Sequence, residues 1–519
     1  MADLAEQMKK VGTINRACAV YIGDVDYNSY AKSLSSFDTV YNDLDMYKPD
    51  LVSLDDARVA EIVKKYDNNI FAWNALYAER GLICIEQDIY KPVRKLSAPQ
   101  GEALIIKSLH FADHWLAHSR ADFIFDISAL GLFRLSLLAA ARYHNVPYLF
   151  HAPANIGERF AIHNDLFYRH DNITKRYNYL NTLPASDELK SRGRIEKDAV
   201  RKSKSIYKGH AAEDPKSRQS GGDNGSGNKG KSRSLFRAVF IAGNLFKEWI
   251  ARRKQEKKWN NEGLINYVDD RYRAGDIWTR RWHRKRRKKE NIKIINARKI
   301  DSYPELGDRP VVLYTWHVQP ENSTSQLAPF HVNQDIAVQN ITRVLPLNWI
   351  ILIKPHRYTL DKVRPREFEL IASLPNAYFA NVETPTPQLI ERISAVVTLT
   401  GAVGMEALAM DKPVFYLGTP SWRICKSAHH AKSYEDLGHM LRNLDEYRPN
   451  PDDVAAYFQA ILDNSIELPD GYDMIRSPEK FRTTPRYTRN LELIAQQIAT
   501  EFEQTTAVSD ANPDPLSLK

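Results

Sequence analysis

The sequence predicts an α/β protein with more than one domain, and two features of the chain support this prediction. Short apolar runs alternate with helix-forming segments in the first third of the chain and again from residue 310 onward. This alternation favours parallel sheets whose strands are joined by crossover helices. At 519 residues the chain is also too long for a single hydrophobic core, so we expect two or three domains.

The N-terminal part of the chain carries the first set of alternating elements. Strands are predicted at 17–22, 122–127 and 146–150, and helices at 101–118 and 132–143. In a parallel sheet, the polar residues that follow the strands lie at one edge. The residues placed there are Asp126, Ser128, His151, Asn155, Glu158 and Arg159. For any one of them alone, a polar loop residue without a role is the simpler interpretation.

The middle of the chain departs from this pattern. From about residue 187 to 231 it is charged and then rich in glycine and serine, which predicts a flexible linker or an insertion between domains because little apolar surface can be buried. Residues 232–259 then place apolar side chains at helical spacing between basic ones. The apolar stripe consists of Leu235, Phe236, Val239, Phe240, Phe246, Trp249 and Ile250. This composition is typical of a helix that lies in a membrane interface.

A second basic segment follows at 278–289, and much of the net charge of +9 lies between residues 190 and 300. Trp278 and Trp282 stand there among Arg280, Arg281, Arg284, Lys285, Arg286, Arg287, Lys288 and Lys289. This mixture predicts docking on an anionic membrane surface. One alternative is that the stripe only packs on the protein while its charges are solvated. Binding to nucleic acid is disfavoured, because no recognised nucleic-acid module accompanies the basic run.

Composition limits the class of protein further. The chain is 43% hydrophobic and 26% charged, as in a soluble globular protein, and it has no apolar run near the roughly 20 residues of a membrane span. Residues 1–10 are polar and lack a signal-peptide core, so we expect a cytoplasmic protein, peripheral at the inner face of the membrane. Cys18, Cys84 and Cys425 are scattered, which argues against a disulfide framework or a metal site.

The C-terminal half carries the stronger α/β pattern, a full Rossmann-like domain. Strands are predicted at 311–314, 349–353, 377–380, 395–399 and 412–416. Helices are predicted at 335–345, 366–373 and 387–393, with one more at 487–502. The last residues, 504–519, are rich in Thr, Asp and Pro, and we expect them to be disordered.

Three segments whose residues could bind a ligand or take part in catalysis follow strands of this domain, at 315–324, 354–357 and 400–406. If the sheet is parallel, all three line one edge. The first and second bring cationic and hydrogen-bonding side chains, which suit a phosphate leaving group. The third is a small-residue turn whose backbone N–H groups at a helix N-terminus suit a phosphate, while Glu406 suits ribose hydroxyls. The alternatives are solvated loop charges and a plain turn capped by Thr400.

Other chemistries are disfavoured by missing motifs. The sequence has no Walker-type lysine loop and no Gly-x-Ser-x-Gly elbow. Asp24-Val25-Asp26 matches the spacing of an Asp-x-Asp metal motif, but only by chance. We therefore predict no metal site.

Six short motifs of the C-terminal half resemble those of bacterial capsule and surface polysaccharide synthesis proteins. They are Gln319-Pro320-Glu321, Gln334-Asp335, Lys354-Pro355-His356-Arg357, residues 400–407, Lys412-Pro413-Val414 and Gly418-Thr419-Pro420. The resemblance covers residues 310–425, is weak over 1–180 and is absent over 190–300. Two motifs depart from the family: in Lys354-Pro355-His356-Arg357 the proline precedes the histidine and Arg357 follows it, and the Asp-Gln pair is reversed.

The resemblance implies a GT-B-like α/β fold, in which two Rossmann-like domains face a cleft and a basic helical or disordered insert lies between them. It implies a glycosyltransferase with a nucleotide-sugar donor, CMP- or UDP-linked, and a glycan or glycolipid acceptor. Some relatives look like CMP-Kdo-dependent transferases. The donor would be bound by Gln319, Lys354, His356, Arg357, Thr400, Gly401, Gly404 and Glu406. A metal and a separate cofactor are not needed when positive side chains stabilise the leaving phosphate.

An inverting reaction also needs a base near the acceptor hydroxyl, and Glu321, Asp126 and Glu158 are the candidates. The implied organisation is an acceptor domain at 1–186, linker and insert at 187–300, and a donor domain at 301–465. A helical segment at 466–503 and a tail at 504–519 complete it. A nucleotide-sugar epimerase or hydrolase of the same fold, or a non-catalytic polysaccharide-assembly protein, are the alternatives.

Overall fold

The computed structural model describes most, but not all, of the chain. The described residues are 2–10, 14–21, 37–42, 55–66, 72–79, 97–127, 131–203, 231–261, 277–300, 307–319, 321–471, 474 and 480–509. Several predictions therefore lie outside the described residues, namely those for the linker at 204–230, Ser128, Pro320, Cys84, Asp24-Val25-Asp26 and the tail at 510–519.

Strands and helices alternate along both halves of the described chain. The strands are β1 Cys18–Tyr21, β2 Thr39–Asn42, β3 Ile124–Asp126, β4 Tyr148–Pro153, β5 Arg159–His163, β6 Lys299–Ile300, β7 Val311–Thr315, β8 Ile350–Lys354, β9 Ala377–Ala380, β10 Ala395–Thr398, β11 Val414–Tyr416, β12 Ala428–His430 and β13 Ile466–Glu467. The helices are α1 Ala2–Lys10, α2 Asp56–Tyr66, α3 Ala72–Glu79, α4 Ala98–Ser119, α5 Leu132–Tyr143, α6 Asp171–Leu180, α7 Ser191–Ser203, α8 Lys231–Asn261, α9 Ile277–Ala297, α10 Asn322–Ser325, α11 Gln334–Val344, α12 Pro365–Ala372, α13 Thr386–Ile390, α14 Val403–Ala409, α15 Tyr434–Arg442, α16 Pro451–Asp463 and α17 Pro485–Ser509.

The C-terminal half forms one parallel sheet with helices on both faces. Within the described residues its strand order is β12-β11-β10-β7-β8-β9-β6. The strands are apolar without a break because both of their faces are buried, as in β7 and β8. Chain order runs outward from β7 through β8 to β9, then returns to the other side of β7 with β10. The point where the order reverses, between β7 and β10, is where open α/β sheets leave a crevice.

The N-terminal half has a smaller mixed sheet with the strand order β13-β5-β4-β3. β3 and β4 are parallel as predicted, but β4 and β5 are antiparallel. The chain reverses between them through Asn155 and Gly157, both with φ near +60°. The expectation of a purely parallel sheet is therefore wrong here. Glu158 immediately precedes β5 and Arg159 begins it; since Phe160 pairs with Pro153, both lie beside the carboxyl end of β4, the edge at which they were predicted.

The prediction of a flexible linker from residue 187 is wrong for residues up to 203, where the chain forms α7. This helix packs closely on α16, and the Gly193 amide donates to Gln459 Oε1 at 2.8 Å. Lys190, directly before α7, is fully buried and its ammonium pairs with Asp452 at 2.7 Å. A charged composition did not prevent ordering, because Asp452 of α16 pairs with Lys190, and Asp411, in the turn after α14, pairs with Lys197 and Arg201 of α7.

The end of the chain returns to the N-terminal half. β13 pairs antiparallel with β5, and α17 packs on α1, β4 and β5. The last helix was predicted to end at residue 502, with disorder from 504, but α17 continues to Ser509. Its apolar face, which includes Ile494 and Ile498, is buried against the N-terminal sheet.

The basic insert forms the helices α8 and α9, as the helical spacing predicted for the first of them. Asn291 fastens α9 to the C-terminal domain, because its fully buried amide donates to the carbonyls of Leu360 and Val363 at 2.9 and 2.8 Å. Within the described residues, no helix is long and apolar enough to cross a membrane.

Candidate functional site

The crevice at the reversal point, between the ends of β7 and β10, is closed at its base by His317 and Thr398. His317 Nε2 lies 3.1 Å from Thr398 Oγ1, which also accepts from the Gly401 amide at 3.2 Å. The backbone of His317 is held on both sides by Gln334, whose side chain bonds to its N–H at 2.8 Å and to its carbonyl at 3.0 Å. Burial lowers the pKa of His317 to about 4, and the charge of His356 adds to this effect. We therefore assign a neutral imidazole at this position.

The second predicted segment meets the crevice at the end of β8. Lys354 pairs with Thr315 in the β7–β8 register, which confirms that these segments share one edge of the sheet. Its ammonium donates to the carbonyls of Asn381 and Val382. Burial lowers the pKa of Lys354 to about 8, an effect that Arg357 enhances and Glu383 opposes.

His356 and Arg357 complete this basic edge in different ways. Burial, followed by the charge of Lys354, lowers the pKa of His356 to about 4, so the imidazole is neutral at pH 7. The amide of Tyr358 donates to His356 Nδ1 at 3.2 Å, which leaves the ring proton on Nε2 as a donor. Arg357 forms an ion pair with Glu383 at 3.1 Å on the surface. The edge therefore offers two cations and one neutral donor.

The third segment is the turn between β10 and α14, and it lacks both the Thr400 cap of the alternative interpretation and, at two of its amides, the predicted free N–H groups. Thr400 does not cap α14; its hydroxyl donates to the carbonyl of Ser323 at 2.7 Å, joining the turn to the first segment. The amides of Gly401 and Gly404 donate within the turn, to Thr398 Oγ1 and to the Gly401 carbonyl. These two N–H groups were expected to be free for a phosphate, and they are not. Binding of the nucleotide sugar by the turn stays a prediction.

Close packing explains the glycines of this turn. A Cβ added to Gly404 would lie 2.2 Å from Cζ2 of Trp422, and one added to Gly401 would lie 3.0 Å from Thr398 Oγ1. Trp422 is fully buried, and its indole N–H donates to the Gly401 carbonyl at 3.2 Å. The sequence reading missed Trp422, since a lone tryptophan after a Gly-x-Pro loop gives no periodic signal.

Two further residues that were predicted to bind the nucleotide sugar lie in the same region, and both are buried. Glu406 is in the first turn of α14 and is buried. Gln319 is also buried; its amide donates to the carbonyl of Val332 at 2.7 Å and its Oε1 has no partner among the described residues. Gln319 therefore fixes the loop after β7, and its contact with a ligand stays a prediction.

The three candidate bases lie in different surroundings. Asp126 accepts from Arg134 and from the Tyr148 hydroxyl, both at 2.9 Å, which favours a structural role. Glu158 accepts from the amide of Asp470 at 3.2 Å, at the join of β5 and the C-terminal segment. Glu321 is exposed on the loop that Thr400 binds. The geometry thus brings only Glu321 of the three beside the crevice.

The N-terminal half reaches this region through contacts that the sequence did not indicate. Asn74 of α3 donates to the carbonyl of Ser325 at 2.8 Å, and Asn155 donates to the hydroxyl of Ser421 at 3.2 Å. Ser325 ends α10, which Thr400 contacts at the Ser323 carbonyl, and Ser421 directly precedes Trp422, which donates to the Gly401 carbonyl. Within the described ranges, no group of three or more His, Cys, Asp or Glu side chains could hold a metal ion, and independence from metals stays a prediction.

A parallel sheet with a crevice at its reversal point, packed against a second α/β unit, defines an α/β protein of two units. Residues 369–427 match the family model described as capsule polysaccharide biosynthesis protein. The resemblance drawn from the motifs is therefore confirmed for this segment, which includes the turn at 400–406. No curated protein matches the chain.

Solved structures give weaker likenesses. The chain is 17% identical to the β-Kdo 2,7-transferase of Thermosulfurimonas dismutans KpsC, over 35% of this chain and 56% of that one, with a TM-score of 0.23. It is 12% identical to the β-Kdo 2,4-transferase of the same protein, over 63% of this chain and 74% of that one, with a TM-score of 0.30. It is 11% identical to a UDP-GlcNAc 2-epimerase of Neisseria meningitidis, over 89% of this chain and 95% of that one, with a TM-score of 0.24. TM-scores this low do not assign an activity, and the chain spans only about half of the first of these structures.

Proposed function

We propose that this protein is a glycosyltransferase that moves a sugar from a nucleotide-sugar donor to a growing capsular or surface polysaccharide. The observation that carries the proposal is the convergence of three segments on one edge of the C-terminal sheet, at its reversal point. The family match over 369–427 includes one of these segments and supports polysaccharide synthesis as the setting. A crevice at this point of an open α/β sheet is the usual place for a nucleotide.

The donor's phosphate lies, in this proposal, beside the end of β8. Lys354 and Arg357 supply positive charge and His356 supplies a neutral N–H donor. Their charge stabilises the leaving phosphate, which is the contribution that a metal ion makes in other transferases. Glu406 accepts hydrogen bonds from the ribose hydroxyls, and His317 forms the base of the crevice.

The acceptor enters from the N-terminal side, where α3 contacts the loop that carries Glu321. Glu321 is our choice of base, because it is exposed on the segment that Thr400 contacts, where its carboxylate accepts from the Ser323 hydroxyl at 3.2 Å, whereas Asp126 and Glu158 lie in the N-terminal sheet. A base must lie within hydrogen-bond reach of the acceptor hydroxyl. Glu321→Gln should therefore lower kcat while leaving donor affinity unchanged.

A panel of CMP-, UDP- and GDP-sugars tests the proposal. We expect one nucleotide class to bind and its sugar to be hydrolysed slowly without an acceptor. Release of free sugar with inverted or retained anomeric configuration also separates a transferase from an epimerase, which would return a changed nucleotide sugar. Failure of every donor to bind the folded protein would refute the proposal.

The acceptor is proposed to be lipid-linked, with the protein held at the inner face of the cytoplasmic membrane by α8 and α9. Phe246 and Trp282 are more than half exposed, and Phe246 stacks on Trp249 at 5.8 Å. The exposed aromatic rings favour docking over packing on the protein. The basic residues around them are Arg281, Arg284, Lys285, Arg286, Arg287, Lys288 and Lys289. The side chains of Phe236, Phe240, Trp278 and Arg280, also predicted to take part, lie outside the described residues.

Flotation with anionic vesicles tests the docking surface. Replacing Lys285, Lys288 and Lys289 by Glu should abolish flotation at low salt, because attraction to anionic lipid is lost. Charge reversal at Arg442 and Arg448, two exposed arginines of the C-terminal domain outside the insert, is the matched control and should leave flotation intact. Equal flotation of both variants and the wild type would refute membrane docking through this insert.

A further inference from the structure

An apolar cavity lies in the N-terminal half of the protein, between its sheet and the helices α1 and α17. Phe125 and Ile127 line it from the end of β3, Leu4 lines it from α1, and Leu491 and Ile494 line it from α17. Its empty volume is about 580 Å³ with the open mouth included, and about 70 Å³ of this can hold the centres of water molecules. That is room for roughly five waters, or for a chain of about as many carbon atoms. Protein interiors are close-packed, so an unfilled space of this size calls for an explanation.

The register of the N-terminal sheet turns the lining side chains to one face. Phe125 pairs with Leu149 in the β3–β4 register, and residues two apart on a strand share a face. Ile127 and His151, which also line the cavity, therefore lie on the face of that pair. The helices α1 and α17 pack on this face, where Leu149 and Ile494 belong to one apolar cluster. The cavity is the part of the face that the two helices leave uncovered.

The walls of the cavity offer no charge to a ligand. Of the described residues that line it, none is an aspartate, glutamate, lysine or arginine. The hydroxyl of Tyr487 donates to Asp3, outside the lining. The side-chain amide of Asn490 donates to the Pro469 carbonyl at 3.1 Å and to the sulfur of Met474 at 3.0 Å. An ionic ligand would lose its hydration here without gaining a countercharge, so the walls favour an uncharged and mostly apolar ligand.

His151 brings an unpaired polar atom to the wall of the cavity. The residue is only 3% exposed, and its Nε2 has no hydrogen-bond partner in the part of the chain that the structure describes. The ring stacks on Phe160, with the centroids 5.0 Å apart and the planes inclined by 9°. Burial lowers the pKa of His151 to about 4, so the imidazole is neutral at pH 7. A buried polar atom without a partner costs free energy, and an uncharged oxygen of a ligand would remove this cost.

The strand that carries His151 leads to the crevice of the C-terminal half. Asn155, in the turn after β4, donates to the Ser421 hydroxyl at 3.2 Å. Ser421 directly precedes Trp422, whose indole N–H donates to the Gly401 carbonyl at 3.2 Å. The cavity thus belongs to the side of the protein from which the acceptor enters in the proposed function.

We propose that this cavity binds an aliphatic chain that carries one uncharged oxygen, as the acyl chain of a lipid does, with that oxygen hydrogen-bonded to His151. The apolar walls remove the chain from water, which raises affinity about fourfold for each buried methylene. The lipid is the one that carries the polysaccharide acceptor. That identity rests on the proposed function, whereas the binding of an aliphatic chain does not.

A series of 1-alkanols from butanol to hexanol tests the cavity in the full-length wild-type protein. Ligand-observed NMR titrations give the dissociation constant of each alcohol. We expect affinity to rise about fourfold with each added methylene, because each one is buried against the apolar walls. Affinity that does not depend on chain length would overturn the proposal.

Two variants locate the binding. Leu491→Trp extends a larger side chain into the cavity from a half-buried position, so hexanol affinity should fall about tenfold, the loss of one to two buried methylenes. His151→Phe keeps the ring beside Phe160 but removes its nitrogens, and should weaken hexanol binding about 2- to 10-fold. Ile336→Trp, at an exposed residue of α11, is the matched control and should bind as the wild type does. Wild-type hexanol affinity in folded Leu491→Trp protein would overturn the cavity as the site, and in folded His151→Phe protein it would overturn the hydrogen bond.

Photolabelling of the wild-type protein with an alkanol that carries a diazirine does not depend on any variant folding. We expect label on α1 or α17, at residues such as Leu4 and Leu491, and we expect hexanol to compete with it. Label confined to α8 and α9 would overturn the proposal, because it would place the chain on the exposed aromatic residues of the insert.

The cavity and the proposed function can fail separately. If alkanols bind while no nucleotide does, the proposed function fails and the cavity stands; if nucleotides bind while alkanols do not, the cavity fails and the proposed function stands. Once turnover is measured, Leu491→Trp should raise KM for a lipid-linked acceptor and leave KM for the same glycan without its lipid unchanged. Equal changes in the two KM values would refute the acceptor lipid as the occupant.

Discussion

Replacing Gly404 by alanine should destabilise the C-terminal domain and disturb the turn at 400–406. The new Cβ would lie 2.2, 2.5 and 2.8 Å from three carbons of the Trp422 ring, where contacts normally begin near 3.5 Å. Trp422 is fully buried, so its ring must move by about 1 Å into packed neighbours, and overpacking of this kind costs roughly 1–3 kcal/mol. The better helix propensity of alanine in α14 offsets up to about 1 kcal/mol.

Urea unfolding followed by tryptophan fluorescence measures this effect. The midpoint should fall for Gly404→Ala and should not fall for Gly243→Ala, the matched control in α8, where an added Cβ meets nothing within 4 Å. Nucleotide affinity should fall in the same variant, since Trp422 holds the Gly401 carbonyl. A Gly404→Ala protein as stable as the wild type would refute the packing argument.

Four further predictions concern other parts of the molecule. Gly193→Ala should lower the unfolding midpoint, because its Cβ would lie 2.1 Å from the Ala455 carbonyl oxygen, whereas a flexible linker would tolerate it. Asp113→Ala should cost about 3–5 kcal/mol of unfolding free energy by leaving buried donors unpaired. Burial raises the pKa of Asp113, but the hydrogen bonds that it accepts, led by that from Lys65, outweigh burial and lower the pKa. The stability that Asp113 contributes is therefore present above about pH 3.9 and is lost on acidification. Acid titration of the wild type and of Asp113→Ala would show this difference. Nucleotide affinity should be lower at pH 9 than at pH 7, because Lys354 loses its proton near pH 8. Turnover should survive excess EDTA. Activity that is lost in EDTA and restored by Mg²⁺ would contradict the metal-independent mechanism.

The C-terminal sheet could be predicted closely because its strands are buried on both faces. β7, β8 and β10 are continuous apolar runs bounded by polar turns, and these features are local in the sequence. Their parallel pairing follows from the helices between them. The edge that carries Lys354 and His356 could therefore be located before any coordinates were known.

Other features depend on partners far away in the sequence and could not be predicted. α7 is ordered because Gly193 fits against α16, more than 250 residues later. The direction of β5 depends on a turn at Asn155 and Gly157 whose backbone conformation the residues only permit. The role of Trp422 becomes clear only once the turn at 400–406 is placed beside it.

The most direct test of the account is the nucleotide affinity of Glu406→Ala. If the crevice between β7 and β10 binds the donor's ribose, loss of one charged hydrogen bond should weaken binding by about 1.5–3 kcal/mol, or roughly 10- to 100-fold in Kd. Glu446→Ala, at an exposed glutamate of the same domain, is the control and should bind as the wild type does. Both variants should unfold at similar urea concentrations. Wild-type nucleotide affinity in a folded Glu406→Ala protein would contradict the assignment of this crevice as the donor site.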